Sequence, residues 1–363
     1  MKNDDTRLIA GALTGMFVPT AERGASPAQA GQIAMVSGVL MAARDTGGPL
    51  AWSPIVDPRD LLYPFVSHTF TNAGASGRNG PTLAQCKTAY AGATFINNLE
   101  WFDRTATGIQ VWTVPVTGYY RIRARGASRL FGLSATVTDT RPEPDAVFRL
   151  QKGDKLRIAV GQLGSYPPNV GLPVSGSGGT FVESGEQGLL LVGGGAGGFA
   201  GSESTVGVTT RLAGPSIHMS STVITPPQAP EGKSGIRRSY TNNNQSSTGY
   251  GGASYNDDIA DTLAPKSFLN GATGGTNIDR VSTHAGGFGC GGAGGVNYNT
   301  SYNATCVGGG GGYSGGDGAG TSNTGARGGD GGCFIADFGD DQNFNMTPLT
   351  SAQHGRVIVD LVG

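Results

Sequence analysis

The chain has 363 residues, of which 64 are glycine and only 14% are charged, with a formal net charge of −1. Low charge separates it from ordinary disordered chains, which combine low hydrophobicity with a high net charge. Near-neutrality also removes any global electrostatic case for binding nucleic acid or an anionic membrane.

No apolar run reaches the roughly 18–20 residues that a membrane-spanning helix needs. Leu8 to Val18 is broken by Gly11, Thr14 and Gly15, so the start lacks the apolar region of a signal peptide. The expectation is a protein made and kept in a cytoplasm, with no membrane insertion.

Residues 1–66 are poor in glycine. Ser26-Pro27 reads as an N-cap and first helical position, and Ile33, Val36 and Leu40 recur at i, i+3 and i+7 before Gly47-Gly48-Pro49. This predicts an amphipathic helix over 27–43. An extended strap follows, Trp52-Ser53-Pro54-Ile55-Val56-Asp57-Pro58. A lone helix with a strap has no core of its own, so Ile33, Val36, Leu40, Trp52 and Ile55 are the residues expected to dock it on a partner.

From residue 67 the pattern turns to β. Ile109 to Val114 is β-branched and aromatic, and Tyr120, Ile122 and Ala124 alternate with Arg121, Arg123 and Arg125. Leu156 to Val160 repeats the alternation after the turn Lys152-Gly153-Asp154, and 355–362 forms a terminal strand expected to close the β core. Short strands separated by turn signals predict a β-sandwich or jelly roll. Residues 202–285 interrupt them with a polar insertion, too long for an ordinary loop.

Glycine clusters at 193–198, 308–312 and 328–332, directly against the apolar segments Leu189-Leu190-Leu191-Val192 and Cys333-Phe334-Ile335. A linker would not be held between core strands. Backbone packed on backbone is the expectation.

Three stretches carry a resemblance. Phe70 to Thr82 leads into Cys86 and Tyr90-Ala91-Gly92; Gly108 to Pro115 leads to Gly118-Tyr119-Tyr120-Arg121-Ile122 and Gly126-Ala127; Lys152 to Leu156 runs to Val160-Gly161-Gln162-Leu163-Gly164. Gly178-Gly179-Thr180-Phe181-Val182, Leu190 to Gly195, and Gly308 to Gly316 extend the series. In this order they resemble the glycine-rich, tumour-necrosis-factor-like module of the anaplastic lymphoma kinase and leukocyte tyrosine kinase ectodomains. Similar modules are found in bacteriophage tail and fibre proteins. The resemblance implies a jelly-roll β-sandwich over 67–363 joined to a bundle of polyglycine-II helices. In the receptors a cysteine stands where this chain has Ala73, which leaves Cys86 without the partner the resemblance implies.

Four cysteines (Cys86, Cys290, Cys306, Cys333) lack the Cys-x-x-Cys spacing of zinc or redox motifs, and reduced thiols are expected, with a disulfide among the last three left open. The Asn-x-Ser/Thr triplets at Asn244, Asn299, Asn303 and Asn345 carry no weight without secretion. His68, His218, His284 and His354 are scattered away from any nucleophile or metal-ligand spacing, so neither an enzyme, a cofactor nor a metal site is expected. The arginine stripe reads as a solvated face or subunit interface, with a grip on an acidic polysaccharide as the sharper alternative.

Recognition is assigned instead to the insertion. There Tyr240, Tyr250 and Tyr255 accompany Asn242, Asn243, Asn244, Asp257 and Asp258. Aromatic rings with amides and carboxylates suit sugars and protein surfaces, and a plain surface loop is the bland alternative. The functional expectation is a phage virion protein of the fibre, spike or tail-tip kind, homotrimeric, anchored to other virion proteins through 1–66 and binding a host polysaccharide or protein. A secreted or surface-bound receptor-like module for cytokine capture or adhesion, and a capsid decoration protein, are the alternatives.

Overall fold

A computed structural model describes residues 17–21, 33–36, 39–44, 51–54, 61–129, 139–165, 175–200, 205–206, 216–219, 222–225, 229–242, 245–276, 284–299, 302–321 and 326–362. The chain is mostly β, with one helix, Leu83–Ala89, among these residues.

The N-terminal segment corrects the expected helix. Ile33 and Val36 lie on strand Ile33–Val36, Leu40 on Val39–Arg44 and Trp52 on Ala51–Pro54. Val36 pairs directly with Val39, so two residues, Ser37 and Gly38, separate the arms of an antiparallel hairpin. With Phe17–Ala21 these strands make a four-stranded sheet whose first pair is parallel. The i, i+3, i+7 spacing misled because Ile33, Val36 and Val39 are β-branched and Gly38 interrupts them, which favours a strand–turn–strand reading. Trp52 to Pro54 is extended, as expected. Ile55 lies outside the described residues.

Two antiparallel sheets form the body. The first orders Ser67–Phe70, Arg356–Leu361, Gly118–Arg125 and Asp139–Leu150, with Asp340–Leu349 on the last. Only the two-residue strand Thr205–Val206 joins it in parallel. The second orders Phe102–Arg104, Gln110–Thr113, Lys155–Ala159, Thr180–Ser184, Gly188–Gly193 and Phe334–Ile335. Gly188–Gly193 lies against Gly118–Arg125 and Asp139–Leu150, which brings the sheets face to face.

The alternation seen in the sequence decides which side chains enter. Tyr120, Ile122 and Ala124 are fully buried, opposite Leu361, Val359 and Val357 of the terminal strand. Trp112, Leu156, Ile158 and Val182 face them from the second sheet, with Phe70, Phe95 and Phe148 filling the space between. The terminal strand sits between Ser67–Phe70 and Gly118–Arg125, so the chain end is tied into the core as expected. Gly153, at φ +92°, supplies the left-handed turn before Lys155–Ala159.

The helix Leu83–Ala89 begins on a capping box. Thr82 Oγ1 accepts from the Gln85 amide at 3.2 Å, and Gln85 Oε1 accepts from the Thr82 amide at 2.9 Å. Its buried residue, Cys86, joins the sandwich core.

The glycine segments are not strands, and their bonding differs from a sheet. The amides of Gly309, Gly310 and Gly311 donate to Tyr250, Gly329 and Ser177, at 2.9, 2.9 and 3.0 Å. The carbonyls of Gly308, Gly309, Gly310 and Gly311 accept from Gly198, Gly292, Gly316 and Gly195. A strand bonds two neighbours in one plane. Here consecutive residues bond segments all around, so 308–311 is the axis of a three-dimensional backbone lattice. A Cβ on Gly309 would lie 1.8 Å from the Gly316 carbonyl oxygen, and one on Gly310 2.1 Å from that of Gly195. Only glycine allows this approach.

One carboxylate ties the lattice to the sandwich. Asp330 Oδ1 accepts from Arg129 Nη2 at 3.0 Å and the Gly197 amide at 2.8 Å, and Oδ2 from Arg141 Nη2 at 3.0 Å and Arg327 Nη2 at 3.2 Å. Arg141 belongs to strand Asp139–Leu150, and its guanidinium also pairs with Asp139 at 3.0 Å. Burial alone would raise the Asp330 pKa, but the three guanidiniums hold it well below the usual carboxylate range.

Two substitutions test this organisation by urea denaturation. Gly310→Ala is expected to cost more than about 2 kcal/mol, because the clash is with backbone, whereas Gly92→Ala, with nothing within 4 Å, is expected to stay within about 0.5 kcal/mol of the parent or gain slightly. Asp330→Asn is expected to cost about 3–5 kcal/mol, against about 0–1 for Asp341→Asn, whose carboxylate is 69% exposed.

Candidate functional site

The structure divides the candidate recognition residues into two groups. Tyr240 and Asn242 lie on the hairpin strand Arg238–Asn242, opposite Ser247 and Gln245 of Gln245–Gly249. Asn243 and Asn244 lie outside the described residues. Tyr250, Tyr255, Asp257 and Asp258 belong to the following segment, which is docked on the sandwich and the lattice.

Docking begins from an aromatic stack. Phe181, on the second sheet, stacks on Phe268 at 5.2 Å, and Tyr255 stacks on the same ring at 5.7 Å. The Tyr255 hydroxyl donates to Glu183 Oε1 at 2.7 Å, while Arg157 Nη1 donates to Glu183 Oε2 at 2.7 Å and sits 5.0 Å above Phe268. Burial first, and then the hydrogen bond to Glu183, raise the Tyr255 pKa far above that of a free phenol.

Tyr250 is 1% exposed, so its ring offers no platform to a ligand. Its hydroxyl donates to Asp261 Oδ2 at 2.6 Å, and Arg237 lies 5.7 Å over the ring. Burial and the Asp261 carboxylate push its pKa up to about 12, while the same hydrogen bond lowers that of Asp261.

The acidic pair is also engaged internally. Asp257 accepts from the Ser234 amide at 3.0 Å and from Lys233 Nζ at 3.2 Å. Asp258 accepts from the Ser267 amide at 2.6 Å and from Asn270 Nδ2 at 3.0 Å. These side chains fix the segment's shape. Its exposed surface is made by others: Ile236 at 40% and Leu269 at 44%, with Asn256 and Asn270 also exposed. Sequence reasoning passed over Ile236 and Leu269, although isolated apolar residues in so polar a stretch were the signal available.

Two of the three arginines of the stripe are ion-paired within the sheet, and the third is buried. Arg121 pairs with Asp145 at 2.9 Å and Asp341 at 3.0 Å, Arg123 with Asp360, and buried Arg125 donates to Gln353 Oε1 at 2.8 Å. With Arg121 and Arg123 ion-paired along the sheet and Arg125 buried, the stripe has little to offer an acidic polysaccharide. It is a polar strand face.

A cleft of 370 Å³ lies beside edge strand Ser67–Phe70, lined by Phe65, Val66, His68, Tyr90 and Phe95 among others. The His68 ring meets Phe70, Tyr90 and Phe95 edge-on at 4.6–4.9 Å, and its buried Nε2 has no hydrogen-bond partner. Desolvation lowers its pKa to about 4. Cys86, Cys290, Cys306 and Cys333 are buried free thiols, so the disulfide left open among the last three is not formed. Among the described residues no group of His, Cys, Asp or Glu is arranged to hold a metal ion, and no helix is long and apolar enough to cross a membrane.

With the geometry in place, comparison with known proteins gives partial likenesses, of which a receptor ectodomain is an example. Over 126 residues the chain is 36% identical to the mouse leukocyte tyrosine kinase receptor. The match covers 33% of this chain and 14% of the receptor. That supports a β-rich module related to part of the receptor, and extends no further. No protein-family model matches the chain.

The His68 environment sets a pH dependence. A folded pKa of about 4 against 6.5 unfolded means that the unfolded chain binds the proton first. Stability is therefore highest above pH 6.5 and falls as pH drops toward 4, by at most about 1.4 kcal/mol per unit. His284 and His354 shift the same way, so His68→Phe is expected to reduce the slope of stability against pH rather than abolish it. Urea denaturation at pH 7, 5.5 and 4.5 measures it.

Proposed function

We propose that the chain is a structural protein of a bacteriophage virion, a fibre, spike or tail-tip component that recognises the host. The observation that carries this reading is the backbone lattice locked to the sandwich through Asp330. A lattice of side-chain-free segments bonded on every side is rigid and offers proteases no extended strand to seize. It serves a part that projects from a surface. On this reading the sandwich is a jelly roll, and the glycine segments are polyglycine-II helices, whose three residues per turn aim consecutive amides at different neighbours.

Residues 1–66, which carry the four-stranded sheet, anchor the chain to other tail or capsid proteins, and the assembly is a homotrimer made in the host cytoplasm. The docked insertion presents Ile236, Leu269, Asn256 and Asn270 to a host polysaccharide or protein, with Tyr240 and Asn242 on the neighbouring hairpin. Neither nucleic acid, a cofactor nor a catalytic centre enters this reading.

The likeness to the mouse receptor favours a second reading, a secreted or surface-bound module for cytokine capture or adhesion. Capsid decoration is a variant of the first. Purified virions of the encoding phage, analysed by mass spectrometry, are expected to contain the chain; its absence from the particles would defeat the virion reading. Within the virion, Ile236→Asp with Leu269→Asp is expected to slow adsorption about tenfold while particle assembly stays normal. Unchanged adsorption would remove this face from recognition.

A further inference from the structure

The knot that joins sandwich and lattice contains an imbalance that its lock function does not explain. The side chains of Arg129, Arg141 and Arg327 are 2%, 1% and 11% exposed, and those of Asp139 and Asp330 are 1% and 0% exposed. Among the described residues three guanidiniums face two carboxylates, so one positive charge is enclosed there without compensation. The neighbouring Cys333 does not supply the missing charge, because burial pushes its thiol up to about 12.

The hydrogen bonds show the same shortage. Each Asp330 oxygen already accepts from two donors. Asp139 Oδ2 accepts from the Arg129 amide at 2.9 Å, and Oδ1 from Arg141 Nη2 at 3.0 Å. Asp330 is used up and Asp139 is engaged through both oxygens, yet Arg129 Nε and Nη1, Arg141 Nη1 and Arg327 Nε remain buried without a hydrogen-bond partner. Among the described residues one guanidinium has a further outlet, in the Phe199 ring 5.4 Å from the Arg129 guanidinium carbon. Unpartnered buried donors and unpaired buried charge are both costly.

We infer that the Arg129–Arg141–Arg327 cluster is a binding site for one compact monovalent anion, of which chloride is the type. A single negative charge balances the site, and a spherical ion accepts several N–H groups from different directions at once. A divalent oxyanion would reverse the imbalance and need more room in so enclosed a place. Arg327, the most exposed of the three, marks the side from which the ion enters. The bound ion then belongs to the joint between sandwich and lattice, and makes its strength depend on halide.

The test uses the full chain. Melting is followed in sodium chloride and in sodium gluconate at equal ionic strength, and crystals grown in sodium bromide are examined for anomalous scattering. Chloride is expected to raise the melting temperature saturably, by roughly 2–4 °C at about tenfold excess over its dissociation constant. Arg327→Gln, which removes the surplus charge at the rim, is expected to melt alike in both salts. A bromide peak among the three guanidiniums is expected in the parent. Identical melting of the parent in both salts with no bromide peak would overturn the inference. Should Arg327→Gln fail to fold, the parent's salt comparison and bromide map decide alone.

Discussion

Everything in this fold is arranged around the closeness of glycine backbones. Carbonyl oxygens stand about where a Cβ would sit on Gly308, Gly309, Gly310 and Gly311, so these segments approach each other as no side-chain-bearing chain can. That closeness lets the amides bond outward to several segments at once. It also sets a demand, because ordering glycine costs more chain entropy than ordering any other residue. A lattice of this kind has no hydrophobic core and needs its ends held. The sandwich holds them, through Gly188–Gly193 and Phe334–Ile335 on the second sheet and through the arginines that converge on Asp330.

The same dependence explains the insertion. Four of its candidate recognition side chains face inward: Tyr255 onto Phe268 and Glu183, Tyr250 onto Asp261, and Asp257 and Asp258 onto neighbouring amides and side chains. They spend their chemistry on shape. A loop fixed in this way presents a preformed surface, and a preformed surface loses little entropy when it binds. Its exposed apolar residues, Ile236 and Leu269, make the surface that buried Tyr250 and half-buried Tyr255 do not.

Much of the sandwich was legible in the sequence, because alternation is a strong signal where one face is buried. Tyr120, Ile122 and Ala124 entered the core, and the terminal strand closed it, as their pattern required. The prolines of the strap also carry their signal, and Trp52 to Pro54 is extended. The N-terminal helix was misread because three apolar residues at helical spacing also suit a hairpin, and the β-branched side chains and Gly38 tipped the choice. The capping-box helix at Leu83 was overlooked, although Thr82 and Gln85 announced it. The site was less legible. Sequence identifies residues able to bind a ligand, but Tyr250 and Asp257 found partners far along the chain or across a turn, and only packing reveals which groups remain free. Asp330 stands between paired glycines with no local sign of its role; its three arginine partners lie 3 to 201 positions away.

The central claim is that the glycine runs form a rigid lattice. Native-state hydrogen exchange of the amides of Gly309, Gly310 and Gly311 tests it most directly. If these amides are bonded as described, they exchange only through global unfolding, as slowly as those of core strand Gly118–Arg125. Exchange at the rate of an unstructured, glycine-rich linker would contradict the account.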